Sequence, residues 1–230
     1  MPAKPVVLYE GEEDRSFLRA LNPAGLVQKC DLHPNPGGKD KFETQLRGLI
    51  AEGGLNGEIR PYVIIIGDND GSPTASFNAI KTQIERAGYN APSVAKEVMA
   101  TSGRSSVSVF MMPQANADGC LETLLFQSIN FPKYRKEWEC SERLMECIEA
   151  GGWETAKKAK LRMRCFLSSA CKSDPNTGLR YAFSTNGGRP GDLFDLTHGC
   201  FNEIRDYFSS LLTPLAESTP APNPPEPPSN

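Results

Sequence analysis

Two aspartates one residue apart, Asp68 and Asp70, close the stretch YVIIIGDNDG at Tyr62–Gly71. Four apolar β-formers, Val63 to Ile66, precede them without alternation, the pattern of a strand buried on both faces of a helix-covered parallel sheet. Open α/β sheets bind their ligands at the C-terminal ends of such strands. Two carboxylates placed there need a partner, because burying them unpaired costs several kcal/mol. A hard divalent cation, Mg2+ or Mn2+, is the partner that carboxylate oxygens suit. Asp-Asn-Asp-Gly is also good turn chemistry in its own right.

A third acid occupies an equivalent place. Pro5–Tyr9 reads as a short buried strand that ends in Glu10-Gly11-Glu12-Glu13-Asp14. A helix follows, with Phe17, Leu18 and Leu21 on one face and Asn22-Pro23-Ala24-Gly25 as its stop. Glu12, Glu13 and Asp14 suit the positive end of that helix. Glu10 lies before the Gly turn, outside the reach of this explanation. Right-handed crossovers put the ends of parallel strands on one edge of a sheet, so Glu10, Asp68 and Asp70 are expected to converge.

The elements that must position these acids alternate in type. After the first strand and helix, Leu26–Leu32 reads as a weaker second strand and Pro34–Lys39 as a loop. A helix is expected over Lys41–Glu52, stopped by Gly53-Gly54, then the strand of Tyr62–Ile66. Pro73 starts a helix that ends at Gly88. Asn90–Ser106 has mixed character. Val107–Met112 is a fourth strand, and a helix from Cys120 to Ser128 carries Glu122. This order predicts an α/β fold: a Rossmann-like, four-stranded, mainly parallel sheet with helices on both faces. The character changes after residue 130. Charged helices over Lys133–Ala150 and Trp153–Ala170, a polar loop region over 173–199 and an amphipathic helix over Phe201–Leu212 make a helical C-terminal extension. The expected organisation is a core at 1–130, an extension at 131–212 and a Pro-rich disordered tail at 213–230.

Composition bounds the function. Lys and Arg number 25 against 28 Asp and Glu, a formal charge of −3, so no global basic field advertises nucleic acid. Between residues 153 and 172, Lys157, Lys158, Lys160, Arg162, Arg164 and Lys172 nevertheless cluster with a single acid, Glu154. No stretch reaches the roughly 18 apolar residues of a membrane span, and the N-terminus lacks the long apolar region of a secretory signal. The seven cysteines are odd in number and never spaced C-x-x-C. A structural zinc site is therefore not expected, and reduced thiols in a cytoplasm fit best.

VVLYEGEEDRSFL, followed about fifty residues later by YVIIIGDNDGS, resembles the Toprim domain of topoisomerases, primases, maturation ribonucleases and overcoming-lysogenization-defect nucleases. That family carries a Glu-Gly turn after its first strand and an Asp-x-Asp after a later one. FMMPQANADGCLETLL is similar to the Pro…Gly-x-Leu-Glu segment of a family of small stand-alone Toprim-related proteins, and KAKLRMRCFLSSACKSDPNTGLRYAF to its helical C-terminal part. The resemblance implies a Toprim-like fold and Mg2+- or Mn2+-dependent cleavage of DNA or RNA, with one or two ions. Asp68 and Asp70 would hold the principal ion, and Glu10 would bind it or act as general acid/base. Asp14, one helical turn past Glu10, would help hold a second ion, for which Glu122 is a further candidate. Gly11 and Gly71 would let the backbone turn close to a phosphate. Lys157, Lys158, Lys160, Arg162 and Arg164 would supply phosphate contacts. Many relatives act in phage defence beside an ABC-type ATPase. This chain has no P-loop, so any such ATPase would be a separate partner.

Two other classes compete. Asp68-Asn-Asp70-Gly-Ser72 also looks like the D-x-D-G-[ST] motif of haloacid-dehalogenase-like phosphatases, in which Asp68 would be a nucleophile. That family needs a later strand ending in paired acids, and Asp192 with Asp195 is the one pair on offer. The other class is a non-catalytic metal-binding regulatory subunit.

Overall fold

The computed structural model of the chain describes residues 4–33, 37–51, 60–172, 174–183 and 191–217. The expected Pro34–Pro36 turn, the Gly53-Gly54 stop, part of the 173–199 loop region and the tail beyond Glu217 lie outside the described residues. The fold is α/β. A five-stranded sheet has the order β2-β1-β3-β5-β4, with β1 Val6–Leu8, β2 Asp31–Leu32, β3 Tyr62–Asp68, β4 Val98–Met99 and β5 Ser106–Met112. β3 lies at the centre, parallel to both β1 and β5. β2 is also parallel to β1, while β4 runs antiparallel to β5 at the opposite edge.

The unbroken apolar runs of β1 and β3 are buried on both faces, as their lack of alternation requires, and β5 is buried on both faces with Ser108 among its apolar residues. On one face Val6, Leu8, Val63, Ile65, Val107 and Val109 pack against Phe42 and Leu46 of α3 (Phe42–Ala51) and Ile80 and Ile84 of α4 (Pro73–Arg86). On the other, Val7, Ile64, Ile66 and Phe110 pack against Phe17 and Leu18 of α1 (Glu12–Leu21). The same cluster contains Leu124 and Leu125 of α5 (Leu121–Phe126), Tyr134 of α6 (Phe131–Cys147), Phe166 of α7 (Thr155–Ala170) and Phe208 of α8 (Asn202–Glu217). The helices beyond residue 130 thus close one face of the sheet and share its core. Gly67 permits the close approach of α4: a Cβ there would lie 2.4 Å from Ile80 Cδ1.

Several boundaries differ from the sequence reading. Leu26–Leu32 is not one strand. Its first part is a helical turn, α2 (Leu26–Lys29), and only Asp31–Leu32 pairs with β1. Gly25, at φ +75°, redirects the chain so that Leu26 is fully buried while Val27 is exposed. Two-residue β4 falls in the mixed stretch and makes the sheet five-stranded rather than four-stranded. β3 continues through Asp68, which pairs with Met112, so the first acid of the motif is still in the ladder. α8 continues to Glu217, past the expected stop at Leu212. Burial of Tyr207, Phe208, Leu211 and Leu212 anchors that helix. All seven cysteines are free thiols. Among the described residues no helix is long and apolar enough to cross a membrane.

Phe166 ties the C-terminal helices to the core: its ring lies 6.3 Å from Tyr134, 6.2 Å from Trp138 and 6.4 Å from Phe194. Phe166→Ala is expected to cost about 3–5 kcal/mol and to shift one cooperative unfolding transition as a whole. A separate low-temperature transition in calorimetry would mean that the helices beyond residue 130 unfold on their own.

Candidate functional site

Strand register builds the site. Leu8 pairs with Ile65, so Glu10, two residues further on, comes level with Gly67. Its Oε1 accepts a hydrogen bond from the Asp68 backbone N–H at 2.9 Å. Asp68 continues the Ile64, Ile66 row toward α1 and α5, and its Oδ1 accepts from the Leu121 N–H at 3.1 Å. Asp14 sits in the first turn of α1 and its Oδ2 accepts from the Gly11 N–H at 2.7 Å, closing the helix N-terminus. Each of these buried carboxylates has one oxygen fixed by a backbone amide, which leaves the other oxygen for a second partner.

Asp70 lies one step further out. Lys160 of α7 places its Nζ 3.3 Å from both Asp70 oxygens and 3.9 Å from Asp68 Oδ2. Lys39 Nζ approaches Asp70 Oδ2 at 3.9 Å. Two clefts meet at this point, and Glu10 and Asp68 line both. One, of about 420 Å³, is completed by Asp14, Glu122, Lys160, Arg164 and an apolar wall that includes Met163 and Leu167. The other, of about 290 Å³, is completed by Lys39, Asp70 and Ser76.

Burial is the main electrostatic cost. It pushes the Glu10 carboxyl up from its ordinary 4.5 to about 7, against the lowering effect of the Asp68 N–H and with the Asp70 charge adding to the rise. Asp14 is raised by burial and then by Glu10 and Glu122, with the Gly11 N–H opposing. Asp68 is raised well above the carboxylate range by burial, Asp14 and Glu10, and Lys160 offsets part of this. Burial alone would lower the Lys160 ammonium, but Asp68 and Asp70 outweigh it and hold the proton more firmly than in water.

The structure brings together Glu10, Gly11, Asp14, Asp68, Glu122, Lys160 and Arg164 around the larger cleft, and Asp70 with Glu10 and Asp68 around the smaller. The basic residues of α7 do not act as one surface. Lys157 lies over the Trp153 ring at 4.2 Å, and Lys158 donates to the Gly151 carbonyl at 3.3 Å. Arg162 pairs with Glu142 and stacks on Trp138 at 3.6 Å. At 100° per residue, Lys160 and Arg164 share a face that Arg162 does not. Gly11 is the cap of α1, at a bend of the chain, with an extended backbone (φ −136°), a conformation open to any residue, so the turn there does not require glycine. Gly71, at φ +83°, does need glycine, and its N–H donates to Asp118 Oδ1 at 3.0 Å. The phosphatase-type acids lie elsewhere: Asp192 bonds Lys133 and Tyr134, and Asp195 accepts from Thr197.

Sequence reasoning missed Lys39 and Cys120. Lys39 follows Gly37-Gly38, and the Gly38 N–H donates to the Glu10 carbonyl, so the loop after β2 closes on the same sheet edge. Cys120 caps α5, and its Sγ lies with oxygens of Asp68 and Asp70 in a group whose ligand atoms are all within 4.8 Å of one another. Glu10 is outside that set. The donor chemistry fits a divalent cation. Several carboxylates share one buried field, their orientation is set by amides, and an ammonium already bridges Asp68 and Asp70. Asp68 and Asp70 would hold an ion, with Glu10, Asp14 and Glu122 on the adjoining cleft wall.

Neither a search of curated proteins nor one of solved structures returned a match to this chain. One family model, described as protein of unknown function (DUF3226), matches residues 4–213, which span every strand of the sheet and every acid of the site. The chain belongs to the DUF3226 family.

Proposed function

We propose that this protein is a divalent-cation-dependent phosphodiesterase of Toprim type that cleaves nucleic acid. The observation that carries the reading is the meeting of Glu10 from the end of β1 with Asp68 from the end of β3, joined by the 2.9 Å Asp68 N–H to Glu10 Oε1 bond at the floor of two clefts. Glu-Gly after one parallel strand and Asp-x-Asp after its neighbour is the Toprim arrangement. A bound Mg2+ or Mn2+ neutralises phosphate charge and activates water.

The chain's own residues supply the rest. Asp68 and Asp70, which Lys160 bridges, would hold the cation. Glu10 Oε1 stays on the Asp68 amide, so Oε2 is the atom that takes a proton from the attacking water. Burial, which raises the Glu10 carboxyl, keeps it basic enough to accept that proton. Lys160 and Arg164 face the larger cleft and counter the phosphate charge. Met163 and Leu167 give it an apolar wall that excludes bulk water from the acids.

Assays on plasmid, single-stranded DNA and tRNA with Mn2+ test the reading. Asp68→Asn and Asp70→Asn should each lower cleavage by at least about 100-fold, the upper range for disturbing a metal centre. Cleavage that is unchanged in both variants overturns it.

A pH series gives a second test. The folded protein keeps protons on Glu10 that the unfolded chain has released, so stability of the metal-free protein falls as pH rises from about 4.5 through about 7. Mg2+ or Mn2+ binds the deprotonated carboxylates, so it should raise Tm strongly at about pH 8 and little at about pH 5. The expected pattern is lost in Asp68→Asn. An equal metal-induced shift at both pH values contradicts the assignment.

A further inference from the structure

Cys120 gives the acidic centre a donor that a Mg2+ site does not use. Its Sγ and carboxylate oxygens of Asp68 and Asp70 all lie within 4.8 Å of one another. The ligands of a tetrahedral zinc ion, at about 2.0–2.3 Å from the metal, stand about 3.3–3.8 Å apart. Side-chain movements of about an ångström therefore close this triangle on an ion. Two of the three residues sit at fixed places in the fold: Asp68 is paired in β3, and Cys120 caps α5 with zero exposure. The thiol is engaged by the Glu122 carboxylate and, at longer range, by Thr123 Oγ1 at 3.7 Å and the Ala156 carbonyl at 3.9 Å. A second observation marks the same spot as a cation site: the Lys160 ammonium, reaching in from α7, already bridges Asp68 and Asp70.

Hard cations take carboxylate oxygen and leave sulfur alone, whereas zinc and cadmium accept carboxylate and thiolate together. We propose that Asp68, Asp70 and Cys120 form a capture site for thiophilic divalent cations of the zinc class, which displace Lys160 and hold the centre inactive. On capture the Cys120 S–H bond breaks, its proton passes to solvent, and a metal–sulfur bond forms with no change in oxidation state. The ion keeps a fourth position for water. Zinc held by the same two aspartates that an activating Mg2+ or Mn2+ needs competes with it directly. The inactivation rests on the phosphodiesterase reading; the capture does not.

Cadmium titration of the reduced, metal-free full chain tests the capture through the thiolate-to-metal charge-transfer absorbance. The first equivalent should produce the band in the wild type and in Cys140→Ser and Cys147→Ser, whose thiols are exposed. Cys120→Ser should lose it. Asp70→Asn, which leaves the buried thiol in place, should bind at least roughly tenfold to hundredfold more weakly, the cost of losing even an outer partner of a metal. No band at one equivalent, or an undiminished band in Cys120→Ser, overturns the proposal. In Mn2+-driven cleavage, the Zn2+ concentration for half-inhibition should rise at least about tenfold in Cys120→Ser relative to wild type, each measured against its own uninhibited rate. An unchanged concentration overturns the inactivation. If Mn2+ drives no cleavage at all, the phosphodiesterase reading fails while the cadmium band still decides the capture.

Discussion

Buried Asp14 and Asp68 and half-buried Glu10 lie within one another's field at the end of the central strand, answered by backbone amides and the ammoniums of Lys160 and Lys39. Like charges buried together are the costliest arrangement that a small domain tolerates without a permanent counterion. Each carboxylate here is held by an N–H at its own element boundary: Asp68 at the end of β3, Gly11 at the start of α1, Leu121 at the start of α5. Those amides have no other backbone use in the fold, since strand ends and helix first turns leave donors unpaired. The sheet register, the two helix starts and the site are therefore one set of hydrogen bonds.

The remaining charge is met from the far end of the sequence. α7 carries Lys160 into the acids and Arg164 to the rim of the larger cleft. Its inner face, Met163, Phe166 and Leu167, is buried in the sheet's own core. Removing α7 would expose that core and leave Asp68 without its ammonium and Asp70 with Lys39 alone. The acidic centre and the packing thus place the same demand on this helix. Arg162, on a different face, is spent on the α6–α7 contact with Glu142 and Trp138.

The central strands were legible because unbroken apolar runs have few alternatives to a doubly covered sheet. The acids were legible because Glu10 and Asp68 each follow such a run. Short elements were not: Leu26–Leu32 carries too little pattern to separate a helical turn from a strand, and β4 is two residues long. The basic cluster on α7 misled by composition. Its members diverge at 100° per residue, and a run of Lys and Arg does not say which of them face the core's edge. Cys120 was passed over because cysteine spacing was weighed only against cysteine and histidine. The carboxylates that lie beside its Sγ, Asp68 and Asp70, are brought there by the fold from the end of β3.

Asn69, the middle residue of the motif, explains why these parts keep their places. A residue between two acids at a strand end is expected at the surface, yet Asn69 has no exposure. Its backbone N–H donates to the Met112 carbonyl and its carbonyl accepts from Gly119 N–H. Its side-chain amide donates to the carbonyls of Gln114 and Ala117. The motif therefore grips both ends of the loop that leads into α5, the loop that delivers Cys120 and the Leu121 amide to Asp68. A hydroxyl or short apolar side chain at 69 could not make both bonds, a loss of about 0.5–1.5 kcal/mol per bond, although the Gln114 carbonyl would keep the Ala117 N–H as a donor. It would also free the loop on which the orientation of Asp68 depends. Asp-Asn-Asp is in this sense three separate roles in adjacent residues: an acid held in the sheet, an amide that ties the neighbouring loop, and an acid beyond the strand that faces the ammoniums of Lys160 and Lys39.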